Sequence, residues 1–275
     1  MRVLLLTYFA ALFMSSCKNY VQVFDIEAVD LKYEDNVYVF ENDTVKISYH
    51  FWSEYGAIAF SVYNKTSKPL YIDWKRSSYM DNTVLLKYWK EKEGKVSNDL
   101  EENSNIDPRM DGLMPFVSTT TNQERITNIP PRSYCYRSQF YAFPFSHYSF
   151  DPNAKSVIEE RNDNPEELTE FYYQFFKRVD APADFRNYLT FSMDTSFSKE
   201  FYVDNQFYVS KVLEMDERHF MKYKYVENSK VLVRNQDGSP VETYFFKRDK
   251  SFYLYIPRSL SFEKKIKQTK HSTDE

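Results

Sequence analysis

Few residues of this sequence have the types and spacing that chemistry needs. His50, His147, His219 and His271 are its four histidines, and no two stand at metal-ligand spacing. Neither a His-Glu-x-x-His, a Gly-x-Ser-x-Gly, a Walker nor a Cys-x-x-Cys pattern occurs. Glu101, Asn103, Asn105 and Asp107 alternate like the donors of a calcium loop. However, Ile106 stands where such a loop needs glycine and no closing glutamate follows, so a charged loop is expected there. With 40 acidic residues, a pair of hydrolytic carboxylates cannot be picked out by sequence alone. Cys135 lies in Tyr134-Cys135-Tyr136-Arg137 with no base beside it, which fits a small buried hydrophobe better than a nucleophile. The aromatics offer another kind of chemistry: Trp52, Tyr55, Tyr63 and Tyr71 fall opposite an aliphatic strand face or in a turn, where exposed rings could stack on sugars. The competing expectation is that both faces of those strands are covered and the rings are core.

Cys17 carries the one modification chemistry with a clear address. Met1-Arg2 is a short positive segment, and Val3 to Met14 is an apolar run too short for the roughly 20 residues of a bilayer span. The run ends in Ser15-Ser16-Cys17, which resembles a bacterial lipobox, with Met14 where leucine is usual. On that resemblance residues 1–16 are a signal peptide, cleavage falls between Ser16 and Cys17, and Cys17 is acylated. Only Cys17 and Cys135 exist, so acylation of the first leaves no intramolecular disulfide. Asp43-Thr44-Val45 also resembles a bacterial O-glycosylation sequon, which makes Thr44 a candidate modification site.

The elements that must position these residues read as strands. The 275 residues include 24 Tyr and 24 Phe but only 4 Gly, which favours a ring-packed β fold and disfavours glycine-rich phosphate loops. A net charge of −4 with both signs interspersed predicts no nucleic-acid partner. Three antiparallel strands in a row are expected between Thr44 and Trp74: Val45, Ile47, Tyr49 and Phe51 alternate with Lys46, Ser48, His50 and Trp52, Ile58, Phe60 and Val62 with Ala57, Ala59, Ser61 and Tyr63, and Leu70, Ile72 and Trp74 with Tyr71, Asp73 and Lys75. Further strands are expected near residues 20–26, 37–40, 83–89, 125–129, 134–145, 185–193 and 201–215, with a loop at 77–82. Residues 90–109 are charged and nearly free of aliphatics, as in a mobile loop. Asn164, Pro165 and Glu167 resemble a helix start, and Leu168, Phe171, Tyr172, Phe175 and Phe176 recur at helical spacing, predicting a helix over 165–178. A C-terminal β-meander is expected over 216–260, followed by a polar tail over 261–275.

These expectations combine into a mainly β fold: an antiparallel, immunoglobulin-like β-sandwich over 17–215 with one inserted helix, and the meander beyond it. The lipobox together with Phe-Glu-Asn-Asp-Thr-Val-Lys-Ile (40–47), Tyr-Ile-Asp-Trp-Lys (71–75) and Phe-Tyr-Val-Asp-Asn-Gln-Phe-Tyr-Val (201–209) resembles a family of Bacteroidota lipoproteins without an assigned activity. The resemblance implies export and lipid anchoring in the cell envelope at the outer membrane, on either face. The expected function is then a non-enzymatic envelope protein making protein–protein contacts or serving structure. A glycan-binding accessory using exposed Trp and Tyr is the alternative, a carboxylate-dependent hydrolase a more distant one. No cofactor or metal is implied.

Overall fold

The computed structural model describes residues 19–89, 124–143, 145, 147–152, 154–160, 168–222, 230–234, 240–245 and 250–262. The signal peptide 1–16, Cys17 and the charged loop 90–109 lie outside the described residues. In chain order the strands are β1 (Asn19–Val29), β2 (Lys32–Glu34), β3 (Val37–Glu41), β4 (Val45–His50), β5 (Ala57–Asn64), β6 (Leu70–Asp73), β7 (Ser78–Asp81), β8 (Val84–Lys87) and β9 (Ile126–Ile129). They continue with β10 (Tyr134–Tyr141), β11 (Lys155–Glu160), β12 (Leu168–Phe175), β13 (Asp184–Ser192), β14 (Glu200–Asp216), β15 (Met221–Lys222), β16 (Lys230–Arg234), β17 (Pro240–Phe245) and β18 (Ser251–Pro257). One helical turn, α1 (Glu217–Phe220), separates β14 from β15.

The 17-residue β14 is the spine of a ten-stranded antiparallel sheet. Its alternation of Val203, Asn205, Phe207 and Val209 with outward residues gives it one buried face, as period 2 requires. One edge of β14 pairs with β1, whose other edge carries β18. The opposite edge pairs first with β13 and then with β12, so a single long strand joins two sub-sheets. A second sheet runs in the order β10-β5-β4-β3-β2, and a third, small one is β15-β17-β16.

The two larger sheets pack face to face over aromatic rings. Tyr49 of β4 lies 4.8 Å from Phe207 of β14, with Phe51 at 5.2 Å from the same ring and 5.9 Å from Phe185 of β13. Each such pair contributes roughly 0.5–1.5 kcal/mol beyond its buried area. β1 is buried on both faces. Phe24 and Ile26 enter the main core, whereas Val21 and Val23 join a smaller cluster with Phe171, Met215 and Phe220.

Four expectations need correction. The predicted helix over 165–178 is strand β12 from Leu168 to Phe175; residues 165–167 lie outside the described set. Its aromatics fit a helical stripe and also a strand buried on both faces, since Phe171 enters the small cluster and Tyr172 the main core. Pairing of Tyr172 with Glu214 and Phe175 with Lys211 decides between them. The three strands from Thr44 to Trp74 do not form one meander: β4 and β5 pair, but β6 crosses to the other sheet and pairs with β13 and β9. The expected loop at 77–82 contains β7, paired with β13 and β8. Finally, β18, expected within the 216–260 meander, runs along β1, and the tail expected from 261 begins with buried Ser261 and Phe262. The backbone N–H of Phe262 donates to the Glu214 carboxylate at 2.7 Å.

Gly56 makes the turn between β4 and β5 fit against β18. It has φ +64, and a Cβ there would lie 2.6 Å from Cγ and 2.8 Å from Cδ1 of Phe252. That ring cannot yield, being fully buried and stacked on Phe24 at 4.7 Å. Gly56→Ala is expected to lower unfolding stability by about 2–4 kcal/mol through clash and left-handed backbone strain together. Urea unfolding checks this; an unchanged midpoint would contradict it.

Candidate functional site

The outer face of the five-stranded sheet presents a row of three tyrosines. Alternation along β5 turns Ile58, Phe60 and Val62 inward and Ala59, Ser61 and Tyr63 outward. Along β10 the same rule turns Cys135 toward the core and Tyr134 and Tyr136 outward. The register places Tyr63 between Lys46 of β4 and Tyr134 of β10, one strand spacing of about 4.8 Å to each side. In the next outward row Ser61 lies between Ser48 and Tyr136, and in the third Ala59 lies between His50 and Ser138. Two rings on an edge strand thus border a floor of serine and alanine. Tyr134 is 72% exposed and Tyr136 63%. Among the described residues, Tyr63, Tyr134 and Tyr136 make no ring contact and no side-chain hydrogen bond.

A buried asparagine fixes the turns beside this row. Asn64 follows Tyr63 and is fully buried. Its Nδ2 donates to the carbonyls of Lys68 at 2.8 Å and Ile129 at 3.0 Å, and its Oδ1 accepts from the Thr66 N–H at 2.9 Å. Its backbone N–H donates to the Ser133 carbonyl at 2.9 Å, and its carbonyl accepts from the Arg132 N–H at 3.1 Å. The turns 64–69 and 130–133 are therefore held through one side chain and its own peptide groups. Lys65 in the first turn pairs with Glu41 at 2.7 Å, which pulls the Glu41 carboxyl below its usual range.

The residues singled out by sequence are dispersed. Trp52 packs in the small cluster, 5.1 Å from Tyr253 and 6.0 Å from Phe220. Tyr55 has φ +62 and meets Tyr141 edge-on at 6.4 Å. Tyr71 faces outward on β6 in the other sheet, opposite Ser192 and Asn128. Only Tyr63 belongs to the row. Thr44 sits half-buried in the β3–β4 turn, where its N–H donates to Asn42 Oδ1 at 2.8 Å. Ser16 and Cys17 lie outside the described residues. Tyr134 and Tyr136 are the positions that sequence reasoning missed. Their alternation around Cys135 was visible, but their union with Tyr63 depends on a pairing between strands seventy residues apart, which no local pattern encodes.

Among the described residues, Tyr33, Phe145, Phe175 and Tyr202, the other exposed aromatics, differ from Tyr134 and Tyr136 in being engaged. Tyr71, half-buried like Tyr63, makes no ring contact among the described residues. Tyr202 is 66% exposed but stacks on Tyr188 at 5.2 Å, beside the Arg186–Asp204 ion pair. Cross-strand pairs of that kind stabilise a sheet face. Among the described residues no group of three or more His, Cys, Asp and Glu is placed to hold a metal ion. Burial pushes the Cys135 thiol up to about 11, only partly offset by Arg137, so at neutral pH it is protonated and a poor nucleophile. Asp194 is held well below the usual carboxylate range by hydrogen bonds from Ser196 and Ser198, which shape the β13–β14 turn.

Compared with known proteins, the chain matches no family model, no curated protein and no solved structure.

Asp81 is a carboxyl whose burial makes stability depend on pH. Burial at the end of β7 raises Asp81 from 3.8 to about 6, and among the described residues only Asn82 donates to it, at 3.1 Å. Because the folded state holds this proton more tightly than the unfolded chain, its contribution is complete below about pH 4. It is lost as pH rises through about 6. At pH 7 the ionised side chain costs on the order of 1–2 kcal/mol after allowance for partial exposure. Asp81→Asn is expected to raise stability at pH 7 by that amount and to flatten the slope between pH 4 and 6. Thermal unfolding across that range checks it; an equal slope in the variant would contradict it.

Proposed function

We propose that this protein is a binding module of a bacterial cell envelope rather than an enzyme, anchored by lipid at Cys17 and holding a polysaccharide on the row of Tyr63, Tyr134 and Tyr136. The observation that carries the reading is the contrast among its rings. Packing or stacking accounts for Trp52 and Tyr202, whereas the three tyrosines of the row, gathered on one sheet face, keep ring faces and hydroxyls unengaged among the described residues, on a floor of small residues. Aromatic faces take up the C–H faces of pyranose rings, and flanking hydroxyls can exchange hydrogen bonds with sugar hydroxyls. The immunoglobulin-like comparison belongs to this proposal in its architectural sense only, two antiparallel sheets on a ring-filled core.

The geometry also suits presentation away from a surface. Asn19, where β1 begins, pairs with Pro257 and lies beside Tyr20, which pairs with Asp216 at the C-terminal end of β14. The other end of β14, Glu200, lies roughly 50 Å away at about 3.3 Å per residue. There Ser192 leads to Tyr71 on β6, and neighbouring Leu70 pairs with Ile129, whose carbonyl accepts from Asn64 beside Tyr63. An acyl group on Cys17, two residues before Asn19, would hold one end of the sandwich at the membrane and leave the tyrosine row at the other. The lipoprotein resemblance supports that address, and more than one acyl chain on the cysteine would make anchoring stable.

A second reading is favoured by the position of β10, which pairs only with β5 among the described strands. A partner protein could contact its exposed tyrosines or extend the sheet along its open edge, since Tyr is enriched at the centres of interfaces.

The test is binding of the full chain, purified in detergent, to a panel of bacterial and plant polysaccharides. Tyr134→Ala with Tyr136→Ala is expected to weaken the polysaccharide bound by at least tenfold, while Trp52→Ala with Tyr55→Ala leaves ring stacking at the row intact. Absence of binding across the panel would overturn the reading and favour a protein partner. Separately, Cys17→Ala is expected to abolish fatty-acid labelling and release the chain from membranes; labelling that persists would remove the address.

A further inference from the structure

We infer that the polysaccharide held by this row is anionic, one whose pyranose rings carry carboxylate groups; the inference rests on the polysaccharide reading above and names the ligand class of the same site. It comes from the charges gathered around the tyrosines. Lys46 is in register with Tyr63, directly across from it on β4. Arg132 lies two residues before Tyr134, with its N–H bonded to the Asn64 carbonyl and φ +56 setting the turn. Lys68 stands in the opposing turn, its carbonyl tied to Asn64 Nδ2 at 2.8 Å. Both turn residues are exposed.

Among the described residues, the acids at this end of the five-stranded sheet are Glu41 and Asp43; at the same end of the other sheet, Glu200 pairs with Arg76 and Asp194 is held by Ser196 and Ser198. Glu41 is matched by Lys65 at 2.7 Å and lies next to Lys46 across the β3–β4 pair. Among the described residues of the five-stranded sheet at this end, Lys46, Lys65, Lys68 and Arg132 therefore stand against Glu41 and Asp43, in a chain whose formal net charge is −4. Arg132 and Lys68 make no ion pair among the described residues. A basic end on an acidic chain is a local field, and one flanked by unengaged rings suits a polymer that is both ring-shaped and negatively charged. A carboxylate borne on each sugar can meet the planar fork of Arg132 in two parallel hydrogen bonds while its ring lies on a tyrosine. Because the row is solvent-exposed, salt screens the charge component over about 8 Å at physiological ionic strength.

The experiment compares polygalacturonate with the same polymer fully methyl-esterified, and with polyglutamate as a charge without sugar rings. The full chain in detergent is used, its fold checked by circular dichroism for each variant. Polygalacturonate is expected to bind at least tenfold more tightly than either comparison polymer, and to weaken severalfold between 50 and 500 mM salt. Lys46→Gln, Lys68→Gln and Arg132→Gln together are expected to lower polygalacturonate affinity at least tenfold. Tyr134→Ala with Tyr136→Ala should weaken it as well. Equal binding of the esterified and charged polymers, lost with the tyrosines, would overturn the anionic inference and leave the polysaccharide reading standing. Polyglutamate binding as tight as polygalacturonate would overturn it by showing that charge alone suffices. If neither sugar polymer binds, the anionic inference is overturned, and the wider panel then decides the polysaccharide reading.

Discussion

A chain of hydrogen bonds buried between the sheets fixes how they sit on one another. Asn187 of β13 and Asn205 of β14 face each other across the ten-stranded sheet. Tyr49 of β4 donates its hydroxyl to Asn205 Oδ1 at 2.9 Å and accepts from Asn187 Nδ2 at 2.9 Å. Tyr88, just beyond β8, donates to Asn187 Oδ1 at 2.8 Å. All four side chains are buried, and burial raises both tyrosine hydroxyls well above their ordinary range. Leaving one such group unpaired costs about 1–3 kcal/mol, so a slipped register that broke the chain would lose several of these terms at once. Hydrophobic contact alone would hold the sheets together without choosing the alignment. The network chooses it, and with it the end of the molecule at which Lys46, three residues before Tyr49, and Tyr63 emerge.

Around that pin the aromatic composition divides into two populations. The larger fills the space between sheets, as where Tyr79 stacks on Phe140 at 5.0 Å and Phe185 on Phe207 at 5.3 Å. Even Arg137 of the edge strand turns inward, its guanidinium 4.0 Å from the Trp74 ring, so the inner side of β10 is closed by a cation held over an aromatic face. The outer side of the same strand carries Tyr134 and Tyr136. A strand whose inner residues are so fully engaged gives its outer residues a rigid base, which is what a stacking surface needs if little ordering entropy is to be lost on binding.

Much of this architecture was legible in the sequence, and the failures have physical causes. The strands β4, β5, β13 and β14 showed plain alternation because one face of each is more apolar than the other. β12 did not, because Phe171 and Tyr172 are buried on opposite faces and the period that separates helix from strand is erased. The turn residues after Asn64 were visible, but not that the chain there changes sheets, since a turn sequence does not state which neighbour the next strand will find. With only 4 glycines, tight turns fall to other residues at positive φ, among them Asp30, Asn36, Asn82 and Arg132, which blurs the usual punctuation. For the candidate site, Tyr63 was within reach as an outward strand residue. Tyr134 and Tyr136 were legible as neighbours of each other and not as neighbours of Tyr63. Their separation from Trp52 and Tyr55 likewise follows from packing against β18 and β10, contacts between distant segments.

The central claim is that ligand settles at the end of the five-stranded sheet held by Asn64. Hydrogen–deuterium exchange of the full chain, with and without saturating polygalacturonate, tests it most directly because it maps the footprint without altering a residue. The account predicts slowed exchange confined to peptides spanning 59–68 and 130–138, with the outer face of the ten-stranded sheet unchanged. Protection over 184–192 and 200–208 instead, or no protection anywhere under conditions where the polymer is bound, would contradict it.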